Sequence, residues 1–98
     1  MRHIKNTTTM INKLNDAFEG LRAQNESYFT GDPCPSEGIW LKGLHDISYQ
    51  DFDRAWELAG GQVPEGYESI NSKVEDFLEV RGWVTQPYDG GTTMAYRA

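Results

Sequence analysis

The sequence predicts a small α+β domain with three helices, a short strand between the first two, and a C-terminal β-hairpin. Two observations carry this. Apolar residues recur at helical spacing in three separate windows: Met10, Ile11, Leu14, Ala17, Phe18 and Leu21; Phe52, Ala55, Trp56 and Ala59; Ile70, Val74, Phe77 and Leu78. Residues 83–86 and 92–96 flank Asp89-Gly90-Gly91, a strong hairpin-turn signal. The 98 residues and their twelve aromatics (three Trp, five Tyr, four Phe) suffice for one modest core. Residues 1–98 are therefore expected to form a single domain, with 1–7 frayed.

Thr8 or Thr9 is expected to cap the first helix, because a threonine oxygen accepts from the free amides of the first turn. Its outer face is polar: Asn12, Lys13, Asn15, Asp16, Glu19 and Arg22. Gly20 weakens the helix by up to about 1 kcal/mol relative to alanine, and Gln24-Asn25 marks its exit. Residues 25–38 are the least regular stretch. Gly31-Asp32-Pro33-Cys34-Pro35-Ser36 is dense in turn formers, and proline on both sides of Cys34 forbids a helix. Tyr28 and Phe29 are expected to tack this loop onto the body.

Residues 38–44 are apolar and bracketed by glycines, a short strand with a helical turn as the competing reading. Asp46 or Ser48 then caps the second helix, and Asp51 follows Ser48 like the acid of a capping box. Gly60-Gly61 ends it. Gln62-Val63-Pro64 turns the chain into a third helix over residues 65–81, since proline suits a first turn. Gly82 stands where that helix stops, with Arg81 placed well for the helix dipole. In the hairpin, alternation puts Thr92, Met94 and Tyr96 on one face and Thr93, Ala95 and Arg97 on the other. The Met94/Tyr96 face is expected to pack on the third helix, with Trp56, Phe77 and Trp83 in the core.

This order of elements resembles the winged-helix family of helix-turn-helix domains over about residues 9–97. The resemblance lies in element order and lengths. In the family, the third helix enters the major groove and the hairpin, or wing, touches the DNA backbone. Here those elements are residues 65–81 and 83–97. The resemblance implies a DNA-binding transcription regulator, acting as a dimer or with a partner, in which Asn71, Lys73, Arg81 and Arg97 make the contacts. A free hairpin edge makes a homodimer by strand pairing or wing exchange plausible.

Charge argues against that use. The net charge is −6, whereas a protein that holds nucleic acid by its phosphates carries a basic patch. Residues 51–98 hold Arg54, Lys73, Arg81 and Arg97 against Asp51, Asp53, Glu57, Glu65, Glu68, Glu75, Asp76, Glu79 and Asp89. On the third helix, Glu68, Ser72, Glu75 and Glu79 fall at i, i+4, i+7 and i+11, an acidic stripe about 16 Å long. Such a row is either plain solvated surface or a face for a basic partner, selected by complementary charge. The sharper expectation is a non-enzymatic protein–protein interaction module. Glu68, Glu75, Asp76 and Glu79, supported by Asp51, Asp53 and Glu57, would dock on the nucleic-acid-binding surface of a protein partner. In size and charge the chain resembles the acidic nucleic-acid mimics among the anti-restriction and anti-CRISPR proteins of phages, which implies an inhibitor.

Other chemistry finds little footing. Cys34 is the only cysteine, so no intramolecular disulfide forms, which fits a reducing cytoplasm. An inert or buried thiol is expected there, since a nucleophile needs a base beside it. His3 and His45, even with Asp46 and Asp51, lack metal-ligand spacing. No phosphate-cradling glycine loop occurs, and surface carboxylates stay in water, so no enzyme, metal or cofactor is expected. The longest apolar run, Ile39-Trp40-Leu41, is far below the roughly 20 residues of a membrane span. No signal-peptide core follows Met1 to Lys5.

Overall fold

The computed structural model describes residues 3–98. The elements run α1 (Thr7–Ala17), β1 (Gln24–Asn25), α2 (Ser27–Thr30), β2 (Ile39–Trp40), α3 (Leu44–Leu58), α4 (Ile70–Glu79), β3 (Trp83–Asp89) and β4 (Thr92–Arg97). The strands form one antiparallel sheet in the order β1-β2-β4-β3. The mixed α and β composition is the one the sequence predicts. The structure adds a helix and a strand, α2 and β1, within and beside the stretch expected to be irregular.

α1 starts earlier and ends earlier than its apolar pattern suggests. Its cap is Asn6, whose side chain accepts from the Thr9 amide, and not Thr8 or Thr9. Of the residues before it that were expected to fray, 1 and 2 lie outside the described residues, and Ile4 is tied down, its amide donating to the Arg81 carbonyl at 3.0 Å. At the other end Phe18 turns to extended backbone and sets its ring edge-on to Phe77, centroids 5.3 Å apart. Asn15, expected on the polar face, folds the exit back by a two-way amide clamp. Its Oδ1 accepts from the Ala23 amide at 2.7 Å and its Nδ2 donates to the Ala23 carbonyl at 3.1 Å. The clamp delivers the chain to β1.

α3 begins at Leu44 after Gly43, with no side-chain cap. Neither Asp46 nor Ser48 caps it, because both lie within the helix; the Ser48 hydroxyl instead donates to Asn71 of α4. α4 begins at Ile70, well after residue 65. Ser69 caps it by accepting from the Ser72 amide, and residues 60–69 are irregular. Tyr67 leaves helical geometry and donates its hydroxyl to Asp51 at 2.7 Å. Gly82, at φ +87°, makes the expected stop, a backbone conformation that side chains disfavour. It lets Trp83 turn back beneath α4.

The core joins Met10 and Leu14 of α1, Ile39 of β2, Leu44 of α3, Val74 and Leu78 of α4, and Trp83 and Ala95 of the hairpin. Ala95 pairs across the sheet with Ile39 and Thr85, so its face is the one the helices cover. The expectation for Met94 and Tyr96 is thereby corrected. They lie on the opposite face, with Met94 beside Trp40. There Phe29 of α2 stacks edge-on to both Trp40 and Tyr88, at 5.2 and 5.0 Å. Phe29 tacks its segment down as expected, whereas Tyr28 points into solvent. Trp83 and Phe77 belong to or line the core. Trp56, expected there too, is 42% exposed. Only Leu44 of α3 is buried, and the molecule is drawn out to 48 × 32 × 21 Å. β3 is an outer edge, and Pro87 and a bulge at Tyr88 interrupt it.

This packing predicts opposite outcomes for two leucines. Leu78→Ala, at a site with no exposed surface, is expected to cost about 2–5 kcal/mol in urea unfolding. Leu58→Ala, at a site 84% exposed, is expected to change stability by less than about 0.5 kcal/mol.

Candidate functional site

The acidic residues singled out from the sequence fall at four places. Glu75, Asp76 and Glu79 lie in the second half of α4, all exposed. The buried Val74 and Leu78 fix the other face of that helix on the core. Asp53 and Glu57 are exposed on α3, one turn apart. The two helices pack against each other. Glu68 lies outside the helix, in the loop before the Ser69 cap. The stripe is therefore shorter than expected, with Glu75 to Glu79 spanning about 6 Å of helix. Asp51 is only half exposed and receives the Tyr67 hydroxyl. It pins the α3–α4 connection, with Phe52 edge-on to Tyr67 at 5.7 Å.

The placement of the α4 acids matters more than their number. They crowd the C-terminal part of the helix, where backbone carbonyls already carry partial negative charge. Asp76 and Glu79, in the last turn, each cost about 0.3–1 kcal/mol at low ionic strength. Glu75 and Glu79 also repel each other at i and i+4, by about 0.2–0.5 kcal/mol. The last turn contains no basic residue. Among the described residues one ion pair forms, Arg97 with Glu37, and none of these acids takes part in it.

The residues implied for DNA contact do not share one surface. Asn71 accepts from Ser48 and holds α3 to α4. Lys73 is exposed and lines an open groove of about 580 Å³ with Ile47, Asp51, Arg54 and Ile70. Arg81 lays its guanidinium 3.6 Å from the Phe77 ring centroid and donates to the Phe77 carbonyl. Arg97 binds Glu37 at 2.6 Å. The structure does bring Arg81 and Arg97 together, in a groove that also holds His3 and Lys5.

One polar cluster escaped sequence reasoning. Glu26, on the approach to α2, accepts from the Ser36 hydroxyl at 2.9 Å and from the Tyr96 hydroxyl. Asn25 accepts from the Ser36 and Ser27 amides and donates to the Ser36 carbonyl. Together they tie the proline loop and β4 to β1. Gly38 is obligatory beside them, because a Cβ would stand 2.6 Å from the Tyr96 ring. The hydrogen bond to Glu26, with burial adding to it, pushes the Tyr96 phenol up to about 12. The spacing of these residues, up to 70 positions apart, left no local signal.

Cys34 is exposed rather than buried, with its amide donating to Asp32 at 2.9 Å. Among the described residues, no three His, Cys, Asp or Glu side chains are grouped to hold a metal ion. Among the same residues, no helix is long and apolar enough to cross a membrane. No family model matches the chain, and neither a curated protein nor a solved structure matches it.

The Tyr96–Glu26 bond predicts a pH dependence. A phenol ordinarily ionises near 10, so in the unfolded chain it loses its proton first as pH rises. Its contribution is present below about pH 10 and is lost between there and about pH 12. Chemical unfolding across this window should show Tyr96→Phe losing less stability than the wild-type chain.

Proposed function

We propose that this protein is a non-enzymatic interaction module whose acidic α4 face docks on a basic protein surface, with Asp53 and Glu57 of α3 in support. The observation that carries the reading is the placement of Glu75, Asp76 and Glu79: exposed, in no ion pair among the described residues, and toward the negative end of their own helix. Folding alone does not favour acids there. Residues that lower stability in place are the ones a binding surface retains. Long-range attraction between complementary fields also speeds encounter with such a partner. Glu68 extends the same charge from the loop, and Asp51 serves the site by pinning its base rather than by contact.

The specific form of the proposal is an inhibitor that occupies the nucleic-acid groove of its target, as phage-type acidic mimics do, acting in the cytoplasm. The scaffold is read as winged-helix-like. The succession α3, α4, β3, β4, with β2 paired to β4, supports this. The connection between α3 and α4, residues 59–69, is longer than the three- or four-residue turn of a helix-turn-helix. That length separates the acidic helix from the geometry of a DNA reader.

The immobilised protein is expected to retain a basic, nucleic-acid-handling protein from a lysate and to release it to heparin. The double variant Glu75→Lys/Glu79→Lys is expected to retain nothing of that set. By differential scanning calorimetry the same variant should melt higher, by roughly 4–8 °C for about 1 kcal/mol gained. Equal retention by both forms overturns the assignment. So does salt-sensitive binding of the wild-type chain to duplex DNA in an anisotropy titration.

A further inference from the structure

The strongest unassigned feature is the groove where the two ends of the described chain meet the exit of α4. It has a volume of about 510 Å³ and is lined by His3, Lys5, Arg81, Arg97, Glu37 and the backbone of Gly82 and Ala98. That volume lies within the range of small-molecule sites. Lys5, Arg81 and Arg97 outnumber the anions of the groove, Glu37 and the α-carboxylate that Ala98 carries in the 98-residue chain, whose net charge is −6. The groove of similar size at Arg54 and Lys73 has no such excess, because Glu19 and Asp51 line it too.

The fold holds these cations in place. Ile4 donates to the Arg81 carbonyl at 3.0 Å, and Ala98 donates to the Gly82 carbonyl at 2.8 Å. Segments far apart in sequence thus become adjacent strips of one surface. Stacking on Phe77 fixes the plane of the Arg81 guanidinium. One of its nitrogens is spent on the Phe77 carbonyl, and a guanidinium has five donors in all. Arg97 is held at the rim by an exposed partner, Glu37, which is 85% exposed. A competing anion can replace such a surface pair at little cost.

We infer that this groove binds a single phosphate group, as the free dianion or a small phosphomonoester. Two guanidinium forks and an ammonium match phosphate oxygens with charge-assisted hydrogen bonds. A polyanion fits worse. Beyond a Debye length of about 8 Å, a nucleic-acid backbone would leave the cations and meet the acids of α4, of which Glu79 is two residues from Arg81.

The test is a titration of the full chain with inorganic phosphate, followed by amide chemical shifts, with chloride at matched ionic strength as control. The expected result is saturable shifts at millimolar phosphate, confined to residues 3–5, 37, 81–82 and 97–98. The exposed-site variant Lys5→Gln/Arg97→Gln should weaken binding by about tenfold or more with its fold intact by the same spectra. Unsaturated shifts, or shifts spread over the surface as chloride also gives, overturn the inference. A short duplex DNA that binds far more tightly than phosphate overturns it as well, since the groove would then follow a polymer. The α4 acids are untouched by the variant, so the outcome is independent of the docking face.

Discussion

An indole sealed from water must find an apolar shell for its rings and a partner for its one N–H. Trp83 meets both demands, and the fold is arranged around how it does so. Its ring has no exposed surface, and its Nε1 donates to the Ile4 carbonyl at 2.6 Å. The Ile4 amide in turn donates to the Arg81 carbonyl. The N-terminal segment is therefore clamped between the exit of α4 and the start of β3. Asn6 follows two residues later and starts α1 from that fixed point. The tight turn at Gly82 is needed to bring the indole there. One buried donor thus links the beginning of the chain to its last third.

Elements whose stabilising contacts are local were legible in the sequence. The apolar stripe of α4, its glycine stop and the hairpin turn all follow from spacing and turn chemistry. Elements decided by distant partners were not. Asn15 looks like a surface residue of a helix until Ala23 returns to it. Ser48 looks like a cap, but the helix already starts at Leu44 and the hydroxyl donates to Asn71 of α4. β1 and β2 are each two residues long, too short for a periodic signal, and exist because β4 pairs with β2. The face of β4 was misassigned because Met94 and Ala95 are both buried. Where both faces of a strand are covered, alternation does not say which cover is the helical one. For the candidate site, the sequence named the acids on α4 correctly as exposed. It overextended them to Glu68, since Ser69 outcompetes Pro64 as the point where helix begins.

Charge in this molecule is segregated along one helix. The acids occupy the outer side of the second half of α4 through Glu79, after Lys73 in its first half, and the next cation stands at Arg81, where the chain leaves the helix. Arg81 restores some of what the acids cost, since a cation after the last turn complements the dipole and its ring stacking holds it there. The acidic face and the groove of cations are therefore neighbours with opposite preferences. On the functions proposed for them, their closeness would confine each to short-range partners, one to a basic protein surface and the other to a compact anion.

The edges of the sheet bear on how such a molecule chooses its company. β3 is crossed by Pro87, which has no N–H to give, and is twisted by the bulge that follows. At the opposite edge, β1 has only two residues. Little continuous backbone is left to template another strand. Recognition by main-chain ladder, which is indifferent to side chains, is thereby suppressed. Selectivity is left to surface side chains, and these can be exchanged without disturbing the core. The exposed positions of such a scaffold can change, a few helix residues at a time, while its architecture stays constant.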